Sequence, residues 1–469
     1  MIKPLMKTAL LGCCLTIAAV ATAQKGAVTT YLTDPANNIL FQQQTAAPVF
    51  SKKKAGATVI TVDDGPKYQG IDGYGWALTG GSAGHLMGMS QAARTALLKE
   101  LFSPEDNGIG GSYIRLSIGA SDLDEKVFSY NDLPVGETDT DMKRFDLGPD
   151  RVAVIPIVKE ILAINPEIKI MGSPWSPPVW MKTNGDVRGG SLKKEYFPAY
   201  AKYFVKYIQA MQAEGIRIES ITVQNEPLHP GNTPSLLMLA PDQGEFVRDH
   251  LGPAFQQAGV KTKIIIYDHN ADKPEYPISI LDDPGAKKYI DGSAFHLYGG
   301  KIEALSKVHE AHPDKNLYFT EQWVGAPGNM KRDIAEHVRN LIIGASRNWS
   351  RTVIEWNLSS NPQLKPHTDR GGCDRCLGAV TIDKDEVERN PAYYSIAHAG
   401  KFVRPGSVRI ASNVPGSLTN VAFQNPQGQL VLVVLNDSKE PSTFDVQYKK
   451  KTFTATLPAG AMATYVWKK

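Results

Sequence analysis

Two glutamates occupy positions from which a pair of carboxylates could do acid–base and nucleophilic chemistry. Glu226 ends the segment Thr222-Val223-Gln224-Asn225-Glu226 ahead of Pro227, and Glu321 ends Tyr318-Phe319-Thr320-Glu321 ahead of Gln322-Trp323. Each follows a short apolar run, and the proline after Glu226 stops the run and turns the chain. Two carboxyl groups roughly 5–5.5 Å apart can split a glycosidic bond, one attacking the anomeric carbon while the other protonates the leaving oxygen. The plain alternative is that either is a solvated loop charge. Trp76, Arg115, Trp175, Asn225, His296, Tyr298, Trp323 and Trp356 also fall at or just beyond the ends of apolar runs. Carboxylates, aromatic rings and an arginine, with no Cys/His cluster, point away from a metal centre. They suit a carbohydrate, whose C–H faces stack on rings while its hydroxyls need polar partners. No metal and no cofactor are expected.

These residues need a scaffold that brings strand ends together. Between residues 70 and 402 strand-like runs alternate with amphipathic helical patterns. The runs are Ile71–Trp76, Tyr113–Ser117, Ile168–Ser173, Ser220–Gln224, Lys263–Tyr267, Gly292–His296, Leu317–Thr320 and Thr352–Trp356. Ser90–Phe102, Glu195–Glu214 and Met330–Arg347 carry helical spacing, the first with a serine suited to cap it. Alternating βα units predict an α/β fold with a parallel sheet, and eight of them close a (β/α)8 TIM barrel; an open doubly wound sheet fits the same pattern. In the barrel, strands four and seven lie on opposite sides, so Glu226 and Glu321 would face each other across its mouth.

From 403 to 469 the pattern changes to short strands separated by turn signals such as Asn425-Pro426-Gln427-Gly428, with no helix between them. This predicts a small all-β sandwich. Residues 24–69 also read as strands (Val28–Leu32, Thr58–Val62) and are expected to join that sandwich.

Residues 1–23 read as a signal peptide: Lys3 and Lys7, an apolar Thr8–Val20 too short to span a bilayer, then Ala21-Thr22-Ala23 before Gln24. Lipoprotein processing at Cys13 is the alternative, and it would leave an apolar core of about five residues, short of the usual range. Removing Lys3 and Lys7 takes the formal charge from +3 to +1. There is thus no basic excess to attract nucleic acid, and no other segment is long and apolar enough to cross a membrane. The expectation is a secreted or periplasmic monomer. Cys373 and Cys376 form a C-x-x-C that could serve redox chemistry or half a zinc site; in an exported chain a short-loop disulfide is the simpler reading.

Several segments resemble glycoside hydrolase family 30, which includes glucosylceramidases and secreted β-1,6-glucanases. They are Gly70-Ile71-Asp72-Gly73-Tyr74-Gly75-Trp76, Tyr113-Ile114-Arg115 with Asp122 beyond it, and Ser173-Pro174-Trp175-Ser176-Pro177-Pro178-Val179-Trp180-Met181-Lys182-Thr183-Asn184-Gly185. Asn225-Glu226-Pro227, His296-Leu297-Tyr298, Thr320-Glu321 and Glu355-Trp356-Asn357-Leu358 complete the set. The resemblance implies Glu226 as acid/base and Glu321 as nucleophile of a retaining enzyme. It implies Asn225 on the sugar 2-hydroxyl, and Asp122, Trp175 and Trp356 around a terminal glucose. Arg115 and Tyr298 would fix Glu321, and His296 would support Glu226. Taken alone, Asp122 could be a helix cap, the tryptophans core packing and His296 a structural histidine.

Trp323 stands where glucosylceramidases carry a smaller residue, and the stretch from Pro366 to Cys373 also departs from them; both would reshape the leaving-group side of a cleft. Arg370 and Arg375 are cations that could meet a glucuronate. The resulting expectation is hydrolysis of β-1,6-glucan, with glucosylceramide hydrolysis or non-catalytic carbohydrate binding as alternatives.

Overall fold

The computed structural model describes residues 26–469; the leader, its cleavage point and Cys13 lie outside the described residues. Three strands come first: β1 (Thr29–Asp34), β2 (Ile39–Gln43) and β3 (Val59–Gly70). Then follow β4 (Gly73–Ala77), β5 (Tyr113–Ser117), β6 (Lys169–Ser173), β7 (Ser220–Thr222), β8 (Lys263–Ala271), β9 (Ile290–Gly300), β10 (Asn316–Glu321), the short β11 (Val324–Gly325) and β12 (Ser350–Asn357). Apart from β11, these close on themselves in the order β10-β12-β4-β5-β6-β7-β8-β9. The pairings are parallel throughout, so the barrel holds and the open sheet does not.

The inside of the barrel shows why these segments belong there. Tyr113, Met171, Ile265, Ala294, Tyr318 and Ile354, from six of the strands, form one buried apolar cluster. Side chains on one face of a strand recur every second residue. Two residues further along the same strands come Arg115, Ser173, His296, Thr320 and Trp356, and on β7 Ser220 gives way to Thr222. A carbon-filled layer is thereby followed by a polar one at the C-terminal ends, the usual face for a barrel's functional site.

Helices form the outer wall. Gln91–Phe102 starts where expected, with the Ser90 side chain accepting from the Ala93 N–H. Phe197–Ala213 buries Tyr200, Phe204, Tyr207 and Met211 on one face. The single helix expected over Met330–Arg347 is instead an α-helix to His337 followed by a wider π-helical segment, Val338–Ala345. Trp76 is fully buried, and its indole N–H donates to the Ala392 carbonyl in the helix Pro391–Gly400, so it belongs to the wall and not to the mouth.

After β12 the chain forms β13 (Ser359–Ser360), β14 (Cys376–Leu377), β15 (Val380–Asp383) and β16 (Glu386–Arg389). It then builds β17 (Val408–Ser412), β18 (Leu418–Gln424), β19 (Gln429–Asn436), β20 (Ser442–Tyr448), β21 (Lys451–Leu457) and β22 (Met462–Lys468). The last six join β1, β2 and β3 in a nine-stranded sheet, ordered β2-β1-β22-β19-β18-β17-β3-β20-β21. Its inner strand β19 is a continuous apolar run because both faces are covered. Leu430, Leu432 and Val434 enter the sandwich core, while Val431, Val433 and Leu435 belong to the core shared with the barrel. No helix among the described residues is long and apolar enough to cross a membrane.

Candidate active site

The polar layer is organised around a residue that the sequence reading passed over. Asp268 is fully buried, and its carboxylate accepts five hydrogen bonds. Oδ2 takes Arg115 Nη2 at 2.8 Å, Ser173 Oγ at 2.9 Å and Thr222 Oγ1 at 2.7 Å. Oδ1 takes His296 Nε2 at 3.0 Å and Thr320 Oγ1 at 2.6 Å. Burial alone would raise this carboxyl, but Arg115, His296 and Thr320 outweigh it and hold it far below the ordinary range. Asp268 sits three residues beyond Ile265 and so breaks the alternation of its strand. A register shift between Tyr267 and His269, with positive φ at Tyr267 (73°) and Asp268 (62°), turns it into the barrel.

Arg115 links this hub to the two glutamates. Its Nη1 donates to Glu321 Oε2 at 2.5 Å and its Nη2 to Asn225 Oδ1 at 2.6 Å. Tyr298 donates its hydroxyl to the other Glu321 oxygen at 3.0 Å. Glu226 is held differently. Its φ of +46° is a left-handed conformation that costs a glutamate about 1 kcal/mol or more. The turn is fixed by its N–H on the Asp268 carbonyl and by the His229 N–H on its own carbonyl, both 2.9 Å. Its carboxyl has only two long contacts, His296 Nδ1 at 3.4 Å and Asn232 Nδ2 at 3.5 Å.

One oxygen each of Glu226 and Glu321 and a nitrogen of His296 lie within 4.8 Å of one another. Carboxylates this close suit a retaining glycosidase and leave no room for the water an inverting one places between them. Taken singly, Glu321 is raised by burial, opposed by His296 and Arg115, and Glu226 is lowered because the His296 contacts outweigh burial. The two share one site and one proton, and the hydrogen bonds decide where it rests. Glu321 receives a guanidinium and a phenol at full strength, which favours its anion, while Glu226 has only its two long contacts. His296 is opposed by burial but raised to about 9 by Glu321, Asp268 and Glu226. Its two ring nitrogens face Asp268 and Glu226, and with Arg115 it places positive charge beside Asp268 and Glu321.

A cleft of about 570 Å³ opens over this layer, lined by Asp122, Trp175, Glu226, Tyr298, Glu321, Trp323, Trp356 and the cysteines, with His229, Asn232, Asn270, Leu297 and Gln322. Trp175 and Trp356 are only 2% and 4% exposed. They stack on each other at 5.4 Å, and Arg115 lies 4.9 Å from the Trp175 ring, so packing claims most of their surface. Trp323 is partly buried against them. Asp122 receives the Cys373 N–H at 3.2 Å; burial, then Glu321 and Glu226, push it up to about 8. Cys373 and Cys376 form a disulfide. Arg370 pairs with Asp186 and Arg375 donates to the Ala326 carbonyl, which engages the two cations considered for a glucuronate.

Comparison with known proteins places the chain in one family. The signature described as the glycosyl hydrolase family 30 TIM-barrel domain matches residues 71–403, and that of the family's beta sandwich domain matches 406–465. An endo-1,6-beta-D-glucanase of Neurospora crassa is 32% identical over 431 residues, covering 85% of this chain and 88% of that protein. The lysosomal acid glucosylceramidase of Mus musculus is 30% identical over 441 residues, with coverage of 88% and 84%. A solved endo-beta1,6-glucanase superposes with a TM-score of 0.87 at 36% identity, covering 95% of this chain and 100% of that one.

Proposed function

The chain belongs to glycosyl hydrolase family 30, and from that premise we propose that it hydrolyses β-1,6-glucan with retention, Glu321 acting as nucleophile and Glu226 as acid and then base. The observation that carries this is the close carboxylate pair with its unequal partners: Arg115 and Tyr298 hold Glu321 as an anion, while Glu226 is loosely held and keeps the proton. Glu321 attacks the anomeric carbon, the glycosidic bond breaks, and the leaving oxygen takes the Glu226 proton. Once Glu321 is an ester its negative charge is gone, and ionised Glu226 accepts a proton from water as that water displaces the ester. Arg115 remains balanced by Asp268 throughout. The Arg115 bond to Asn225 Oδ1 leaves the Asn225 amide nitrogen to donate to a sugar 2-hydroxyl.

The linkage rests on the relatives named endo-1,6-glucanases. The leader-like first residues and the disulfide support an exported enzyme. The test is product analysis by NMR on pustulan, laminarin, glucuronoxylan and glucosylceramide in parallel. Pustulan should be cut fastest, with the β-anomer released first. An α-anomer as first product would sink the double displacement, and faster release from glucosylceramide would move the substrate to the lipid.

A further inference from the structure

The Cys373–Cys376 ring lies between two walls of the cleft. On one side, Cys373 donates its N–H to Asp122 Oδ2 and Thr368 donates its own to the Asp122 carbonyl at 2.9 Å, which ties the loop to the segment after β5. On the other side, Cys376 pairs with Gly325 and Leu377 with Val324, just past Glu321 and Trp323. Arg375 adds its bond to Ala326. Both cysteines line the cleft, and Cys376 packs in the cluster of Trp175, Trp356, Ala77 and Leu123 against which Trp323 rests. The ring therefore joins the Asp122 side of the mouth to the Glu321 side.

Just ahead of Cys373 stand Gly371, at φ +115°, and Gly372, where added side chains would collide with the Gly231 carbonyl and with Thr368, so the chain enters the ring closely packed and without side chains of its own. A ring closing so few residues constrains the unfolded chain little, so its effect is local.

We propose that the Cys373–Cys376 disulfide is a positioning element for the sugar subsite: it holds the Cys373 N–H on Asp122 and thereby sets where the Asp122 carboxyl meets substrate. The proposal rests on the hydrolase reading above. On that reading Asp122, which lines the cleft, meets the sugar, and the ring acts through it.

The test uses the full chain. Dithiothreitol converts the disulfide to two thiols and is itself oxidised to its cyclic disulfide, with the extent read by alkylation and mass. Reduction should raise KM for an aryl β-glucoside about fivefold, the worth of one hydrogen bond, with kcat changed less than about twofold. The Cys373→Ser/Cys376→Ser variant should match the reduced protein and ignore dithiothreitol. Its loss should not multiply with that of Asp122→Ala, because both remove the same interaction, the Ala variant by deleting the acceptor of the Cys373 N–H. Equal KM in the reduced and oxidised proteins, or losses that multiply fully in the triple variant, would overturn the proposal. If the wild-type protein cleaves none of the four substrates above, the hydrolase reading fails instead.

Discussion

The barrel interior has two layers on the same strands. In one, Tyr113, Met171, Ile265, Ala294, Tyr318 and Ile354 fill space with mainly apolar atoms. In the next, Arg115, Asp268, His296 and Thr320 are equally buried but exchange charge-assisted hydrogen bonds. The apolar layer needs volume, and substitutions that keep volume should be absorbed. The polar layer needs particular atoms at particular distances, because a buried charge without its partner is costly. Both layers hold the fold together, but only the polar one carries chemistry.

Substitutions that separate the two layers give the sharpest tests. The largest effect is expected from Asp268→Asn, which leaves Arg115 and His296 short of a counter-charge. Stability should fall by about 3–5 kcal/mol in denaturant titrations. Turnover should fall roughly a hundredfold, since Arg115 and His296 position both glutamates. Activity within threefold of wild type would remove Asp268 from the machinery. Met171→Ala in the apolar layer should cost about 2–5 kcal/mol by the same titration and leave kcat/KM within a few-fold. A hundredfold loss of turnover in that variant while folded would collapse the distinction between the layers.

The smallest effect is a gain. The Asp122 carboxyl is raised to about 8 in the fold against 3.8 outside it, so the folded state gives up stability as pH rises from about 4 to 8. Asp122→Asn should therefore raise Tm by roughly 2 °C at pH 8 and hardly at all at pH 4, measured by calorimetry, while weakening substrate binding. His296, raised from 6.5 to about 9, contributes stability below pH 6.5 that is lost as pH passes 9. A gain in Tm that is flat with pH would mean Asp122 is not held protonated.

What the sequence made legible follows from the same two-layer rule. Short apolar runs alternating with helical patterns located all eight barrel strands, and reading their ends located Arg115, His296, Glu226 and Glu321. Asp268 escaped because a bulge shifts it onto the inner face at an odd spacing, which periodicity cannot register. Trp76 misled for the complementary reason: it stands near a strand end but faces the helices. Trp175 and Trp356 came from their places beyond strand ends and from the family resemblance, and nothing in the sequence showed that they would stack on one another. The short β2 and the β11–β14 pairing carry too few residues to leave a pattern.

The sheet that closes the molecule also sets a timetable. β1 pairs with β22, Thr29 opposite Val466, and β3 pairs with β17 and β20. The first strands synthesised must wait for the last before their edges and apolar faces are covered. Contacts of such long sequence separation form slowly, and a chain cut short before β22 would display unpaired strands to every protease it meets. Arrival of β22 between β1 and β19 is thereby the step that closes the sheet.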